Sequence, residues 1–153
     1  SPIEMVKSVL EHTPTRRVIA TLHPRETYSQ AELDALDRLE STTARLEIRM
    51  GGMVELLTGC DYVVTQNSSA GFAGYFFGKP LVLFGRVDFH HIAANVTTLG
   101  VADALALGPE MTPDYAAYVH WFWQKMSINA GVESADDKIR ARLQAAGWPL
   151  DPG

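Results

Sequence analysis

The sequence predicts an α/β domain, an open, doubly wound parallel sheet with helices on both faces and Rossmann-like in plan. Three observations carry this. Short apolar strands alternate with helices of the length that right-handed βαβ units need, over residues 17 to 84. The run Leu81-Val82-Leu83-Phe84 is continuously apolar, as a strand buried on both faces must be. Two strands end in loops of proline or small polar residues, the usual prelude to a helix.

The elements follow in order. Ile3, Val6, Val9 and Leu10 fall at helical spacing, so residues 3–12 read as an amphipathic helix. The β-branched run 17–22 reads as a strand and stops at His23-Pro24, where proline ends regular pairing. Ser29-Gln30-Ala31-Glu32 is a capping box that opens a helix with Leu33, Leu36 and Leu39 on one face. Leu46, Ile48 and Met50 alternate with polar residues as in a half-buried strand, and Gly51-Gly52 turn the chain into a short helix over 53–58. Tyr62 to Thr65 reads as a strand, Gln66 to Ser69 as a loop, and Ala70 to Phe77 as a small-residue and aromatic helix ended by Gly78. After the apolar strand 81–84 the chain reads as mostly helical. Pro113 is placed to start a helix reaching about Met126, with Tyr115, Tyr118, Val119, Phe122 and Trp123 as its core stripe. Ser134 caps a last helix to about Ala146.

Composition narrows function. The chain has 153 residues, 46% hydrophobic and 20% charged, within the range of one folded domain. Its net charge of −5 argues against a nucleic-acid partner, which a basic face would signal. No apolar run reaches the roughly 18 residues of a membrane span, and no basic-then-apolar start marks an exported chain. The expected location is the cytoplasm, with peripheral attachment to the inner membrane as an option. Cys60, the single cysteine, reads as a small core hydrophobe. Asp88-Phe89-His90-His91 invites a metal, but adjacent histidines rarely face one ion, so no metal and no cofactor are expected, and Arg86, His90 and His91 line a pocket or face solvent. His12 and His120 read as ordinary helix residues, and Trp121, Trp123 and Trp148 as packing.

In an open parallel sheet, ligands bind outside the carboxyl ends of the strands. Two loops there carry chemistry: His23-Pro24-Arg25-Glu26, and Gln66-Asn67-Ser68-Ser69-Ala70-Gly71. The second opens a helix, so its hydroxyls and amides suit a phosphate, and small residues let the anion approach. A serine that only caps the helix explains the same residues; Ser68 is the better cap and Ser69 the better phosphate contact. His23 either ties its loop down or donates to a departing phosphate, with Arg25 adding fixed charge.

Thr21-Leu22-His23-Pro24-Arg25-Glu26, Thr65-Gln66-Asn67-Ser68-Ser69-Ala70-Gly71-Phe72 and Gly78-Lys79-Pro80-Leu81-Val82-Leu83-Phe84-Gly85-Arg86, in this order and spacing over residues 17 to 92, resemble the capsule polysaccharide biosynthesis family. That family includes transferases using CMP-activated Kdo, and shares an HP motif and a paired-serine motif with bacterial sialyltransferases. The resemblance implies one half of a GT-B glycosyltransferase, residues 1–153 forming a single nucleotide-sugar-binding domain with a helical tail from about residue 112. It implies that His23 and Pro24 flank the donor phosphate and His23 assists its departure. Ser68 and Ser69 would grip that phosphate, with Arg25, Gln66, Asn67, Gly71 and Arg86 around the nucleotide and the turn at Lys79 shaping its pocket. A CMP-sugar is the favoured partner. The glycan acceptor, and the base that activates it, would belong to an N-terminal domain missing from this chain. The family commonly carries an acidic residue after the Gly-Phe pair, where this chain has Ala73. Two other readings stay open: a UDP-sugar transferase or epimerase of the same architecture, and a non-catalytic binding or scaffold module.

Overall fold

In the computed structural model, which describes residues 2–129 and 131–149, two compact units divide between Pro113 and Asp114.

The first unit begins with α1 (Pro2–His12), whose Val6, Val9 and Leu10 are buried at the predicted spacing. The Thr13 amide and hydroxyl both return to the Val9 carbonyl, at 3.0 and 2.6 Å, and close the helix. Half-buried Arg45 then donates to the carbonyls of Thr13 (2.8 Å), Arg16 (3.1 Å) and Leu10, satisfying oxygens that the end of α1 leaves open. Strand β1 (Val18–Leu22) pairs in parallel with β2 (Leu46–Met50), in register from Val18↔Leu46 to Leu22↔Met50. Between them lies α2 (Gln30–Thr42), opened by the predicted capping box: Ser29 Oγ accepts from the Glu32 amide, and the Glu32 carboxylate accepts from the Ser29 amide at 2.9 Å. After β2 come α3 (Met53–Gly59), β3 (Val63–Thr65), α4 (Ala70–Phe76) and β4 (Leu81–Leu83).

The sequence left the next stretch helical, but the structure adds a two-residue parallel strand, β5 (Ala94–Asn95), pairing Val82↔Ala94 and Leu83↔Asn95. Helices α5 (Val96–Leu99) and α6 (Val101–Leu107) follow. The ladders fall into two groups, β1–β2 and β3–β4–β5, rather than one continuous sheet. Between them, Arg16 reaches Asp61 at 2.9 Å and lies 5.3 Å above the Tyr62 ring, joining the residues that precede β1 and β3.

Both faces of the sheet are covered, which is why Leu81, Val82 and Leu83 are all fully buried. Val82 packs with Val9, Ala94, Ala104 and Leu105, on the side of α1 and α6, joined by half-buried Val18, Val64 and Phe84. Leu81 faces the other way, onto α4: a Cβ on Gly71 would stand 3.0 Å from Leu81 Cδ1 and 3.0 Å from Thr65 Cγ2. A second cluster of Val6, Leu10 and Leu46, with Ala20, Leu39 and Ile48 against it, seats α1 and α2 on β1–β2. This is the Rossmann-like α/β arrangement, parallel strands flanked by helices.

In the second unit Asp114, not Pro113, begins the helix α7 (Tyr115–Trp121), its carboxylate accepting from the Ala117 amide at 2.9 Å. The chain then widens into a π-turn over Phe122–Met126. A wider turn changes the phase of the side chains that follow, so Trp123 is 55% exposed and leaves the predicted core stripe, whereas Tyr118, ahead of the turn, is buried. Trp148 is exposed as well, correcting its assignment to packing. The last helix, α8 (Ala135–Ala145), starts at Ser134 without a side-chain cap bond.

The capping box carries a prediction. Ser29→Ala should cost about 1 kcal/mol of stability, as loss of a helix cap does. The hydrogen bonds from the Ser29 side chain and backbone hold the Glu32 carboxyl below its ordinary range. A carboxyl lowered by folding stabilises above its unfolded value, and that part is lost as pH falls through its folded value. The gap in melting temperature between wild type and Ser29→Ala should therefore narrow below about pH 4. A gap independent of pH would remove the Glu32 half of the box.

Candidate functional site

His23 leaves β1 into a tight turn, closed by the Glu26 amide on the His23 carbonyl at 3.1 Å. The His23 amide donates to the Tyr28 hydroxyl at 2.8 Å, and the Arg25 amide donates to the His23 ring at Nδ1, at 3.2 Å. Because Nδ1 accepts, the ring proton sits on Nε2, and Nε2–H is the donor this loop offers. His23, Pro24 and Arg25 are all exposed, and Arg25 makes no ion pair among the described residues. Tyr28, which fixes the turn, was not singled out from the sequence; its place just before the helix cap is a weak signal.

The second loop leaves β3 at Thr65, which is 7% exposed. Its hydroxyl accepts from the Ser68 amide at 3.1 Å, and Ser68 Oγ accepts from the Ala70 amide at 3.2 Å. The Ser68 carbonyl takes the Gly71 amide at 3.0 Å. The Ser68 oxygen thus braces the chain's own turn as an acceptor. Ser69 stands at the N-cap of α4, exposed, and makes no cap bond with its side chain. At seven residues α4 is short, so any anion here relies on hydroxyls and side chains more than on a helix dipole. Gly71, in the first turn of α4, is buried against Thr65 and Leu81, so its missing side chain serves close packing.

Gln66 and Asn67 are exposed beside this loop, and the Gln66 carbonyl accepts from the Gly85 amide at 2.8 Å. A Cβ on Gly85 would lie 2.4 Å from that same oxygen, so only glycine fits. Arg86 is consequently next to Gln66, at the carboxyl end of β4. Lys79 is not. The Pro80 carbonyl takes the Val63 amide at 2.8 Å, which puts the Lys79 turn beside the amino ends of β3 and β4, the edge opposite Ser69. Its charge is felt instead by Cys60, whose half-buried thiol is nevertheless pushed up by burial, in keeping with a packing role. A parallel strand has its two ends at opposite edges, so Lys79 drops out of the group near the serines.

Beyond Arg86 opens a cavity of about 570 Å³, lined by Arg86, Asp88, His90, Asn95, Thr97 and Thr98. Of these, Arg86 and His90 were expected to line a pocket or face solvent; Asn95, Thr97 and Thr98 were not placed in the site, because the short β5, which ends at Asn95, left no signal of its own in the sequence. His91 stacks on His90 at 4.3 Å but does not line the cavity. No group of three His, Cys, Asp or Glu able to hold a metal occurs among the described residues. Nor is any helix among them long and apolar enough to cross a membrane.

Compared with known proteins, residues 3–121 match the sequence model of the family described as capsule polysaccharide biosynthesis protein. No curated protein and no solved structure matches the chain.

Proposed function

The chain belongs to the capsule polysaccharide biosynthesis protein family, and from that premise we propose that its first unit holds the activated donor of a surface-polysaccharide glycosyltransferase, a CMP-linked sugar of the Kdo type. One observation carries the proposal: the loops after β1 and β3 expose the donors His23 Nε2–H and Ser69 Oγ–H, while His23 Nδ1 and Ser68 Oγ accept bonds within their own turns.

In the transfer, the acceptor hydroxyl forms a new bond to the anomeric carbon as that carbon's bond to the phosphate oxygen breaks. CMP leaves with the electron pair, and the hydroxyl proton goes to a base that family resemblance places on a second domain. Charge grows on the phosphate oxygens, where fixed donors help most. His23 Nε2–H and Ser69 Oγ–H act there as hydrogen-bond donors, and Arg25 and Arg86 supply positive charge. No metal is needed in this scheme.

A ligand bound only by the folded state raises stability by about 2.7 kcal/mol at one hundred times its dissociation constant. CMP should therefore raise the melting temperature, and UDP and GDP should do less. Millimolar CMP producing no shift, and no change in the amide resonances of residues 23 and 68, would overturn the donor assignment.

A further inference from the structure

The cavity beyond β4 and β5 has a feature that the two loops do not use. Its wall is braced by contacts that leave Arg86 and Asp88 out. The buried Tyr75 hydroxyl donates to the Phe89 carbonyl at 3.2 Å, and Asn95 Nδ2 donates to the carbonyls of His90 (3.0 Å) and Ala93 (2.9 Å). Arg86 and Asp88, two residues apart and exposed, line the same cavity and form no ion pair with each other or with any other side chain among the described residues. An acid and a base held in one groove and not joined to each other suit a ligand carrying both an anion and hydroxyls. A guanidinium grips phosphate oxygens in pairs, and a carboxylate accepts two hydrogen bonds from a vicinal diol. The Gly85 amide on the Gln66 carbonyl, at 2.8 Å, brings the chain at Arg86, which lines the cavity, beside the loop that carries Ser69.

We propose that Asp88 is the residue that selects a ribonucleotide, its carboxylate accepting the 2′- and 3′-hydroxyls of the ribose while Arg86 faces the phosphate. This rests on the nucleotide reading of the two loops. Asp88 touches the ligand away from the bond that breaks, so it acts on affinity.

Calorimetric titration of CMP and of 2′,3′-dideoxycytidine monophosphate into the wild-type chain and Asp88→Ala tests this. Wild type should prefer CMP by about 10- to 100-fold, the loss expected for hydrogen bonds to a charged group. Asp88→Ala should bind the two equally, with an unchanged melting temperature, since the side chain is exposed. Asp88→Asn, which keeps the shape but not the charge, should lie between them. A preference that survives in Asp88→Ala, or that wild type lacks, overturns the assignment. If wild type then still loses CMP affinity on Ser69→Ala, the loop reading stands while Asp88 falls. If CMP does not bind at all, both fall. A ribose preference untouched by Asp88→Ala, with a CMP-sugar alone weakened, would move the carboxylate to the donated sugar and overturn the proposal.

Discussion

Leu81→Ala is expected to lower the stability of the first unit by about 2–5 kcal/mol, the range for removing a fully buried leucine and leaving a cavity. Leu81 is 0% exposed and fills the space under α4 where Gly71 allows close approach. The melting temperature should fall by roughly 5–20 °C, given about 2–4 °C per kcal/mol for a chain of this length. Leu99, 38% exposed, is the control, and Leu99→Ala should change stability far less. Gly71→Ala alone overpacks the same place, because its new Cβ meets Leu81 Cδ1 at 3.0 Å. In the double variant the added methyl occupies part of the space that Leu81 vacates, so the combined loss should be smaller than the sum of the two. Strict additivity in chemical denaturation would show that the two residues do not share a site.

Alanine at Ser69 is expected to weaken CMP about 10- to 100-fold, the cost of losing a hydroxyl bonded to a charged oxygen. Stability should hardly change, because Ser69 makes no cap bond to lose. Ser68→Ala should do the reverse. Its hydroxyl accepts from the Ala70 amide at 3.2 Å, so stability falls by about 0.5–2 kcal/mol and affinity stays close to wild type. His23→Ala should weaken CMP and leave cytidine, which has no phosphate, unchanged. Titrating cytidine and CMP against the three variants separates these outcomes. Equal CMP affinity in all three would reduce both loops to structural turns.

Much of the candidate site was readable because it is local. His23-Pro24 marks the end of β1 since proline cannot continue a strand. Ser29 and Glu32 announce α2 because both halves of a capping box lie within four residues. The bond from the Ala70 amide to Ser68 Oγ also depends only on neighbours along the chain. Other features needed distant partners. Ala94-Asn95 is a strand only because Val82 and Leu83 offer a ladder, and two residues carry no periodicity. Gly85 looks like an ordinary loop glycine until the Gln66 carbonyl is found against it. The phase of Trp123 depends on a π-turn that leaves no helical spacing to read.

What the sequence determined by itself is the order of strands and helices as far as β4, the capping box that opens α2, and the place of the two loops carrying His23 and Ser69. Each rests on backbone preferences and hydrogen bonds within a few residues. The tertiary structure alone decided which of these groups share an edge. Lys79, seven residues before Arg86 in the chain, stands at the opposite end of β4 from it, whereas Arg86 is brought to Gln66, twenty residues earlier, by the Gly85 bridge. Strand direction and pairing set those positions, and both arise from packing Leu81, Val82 and Leu83 between layers contributed by remote parts of the chain.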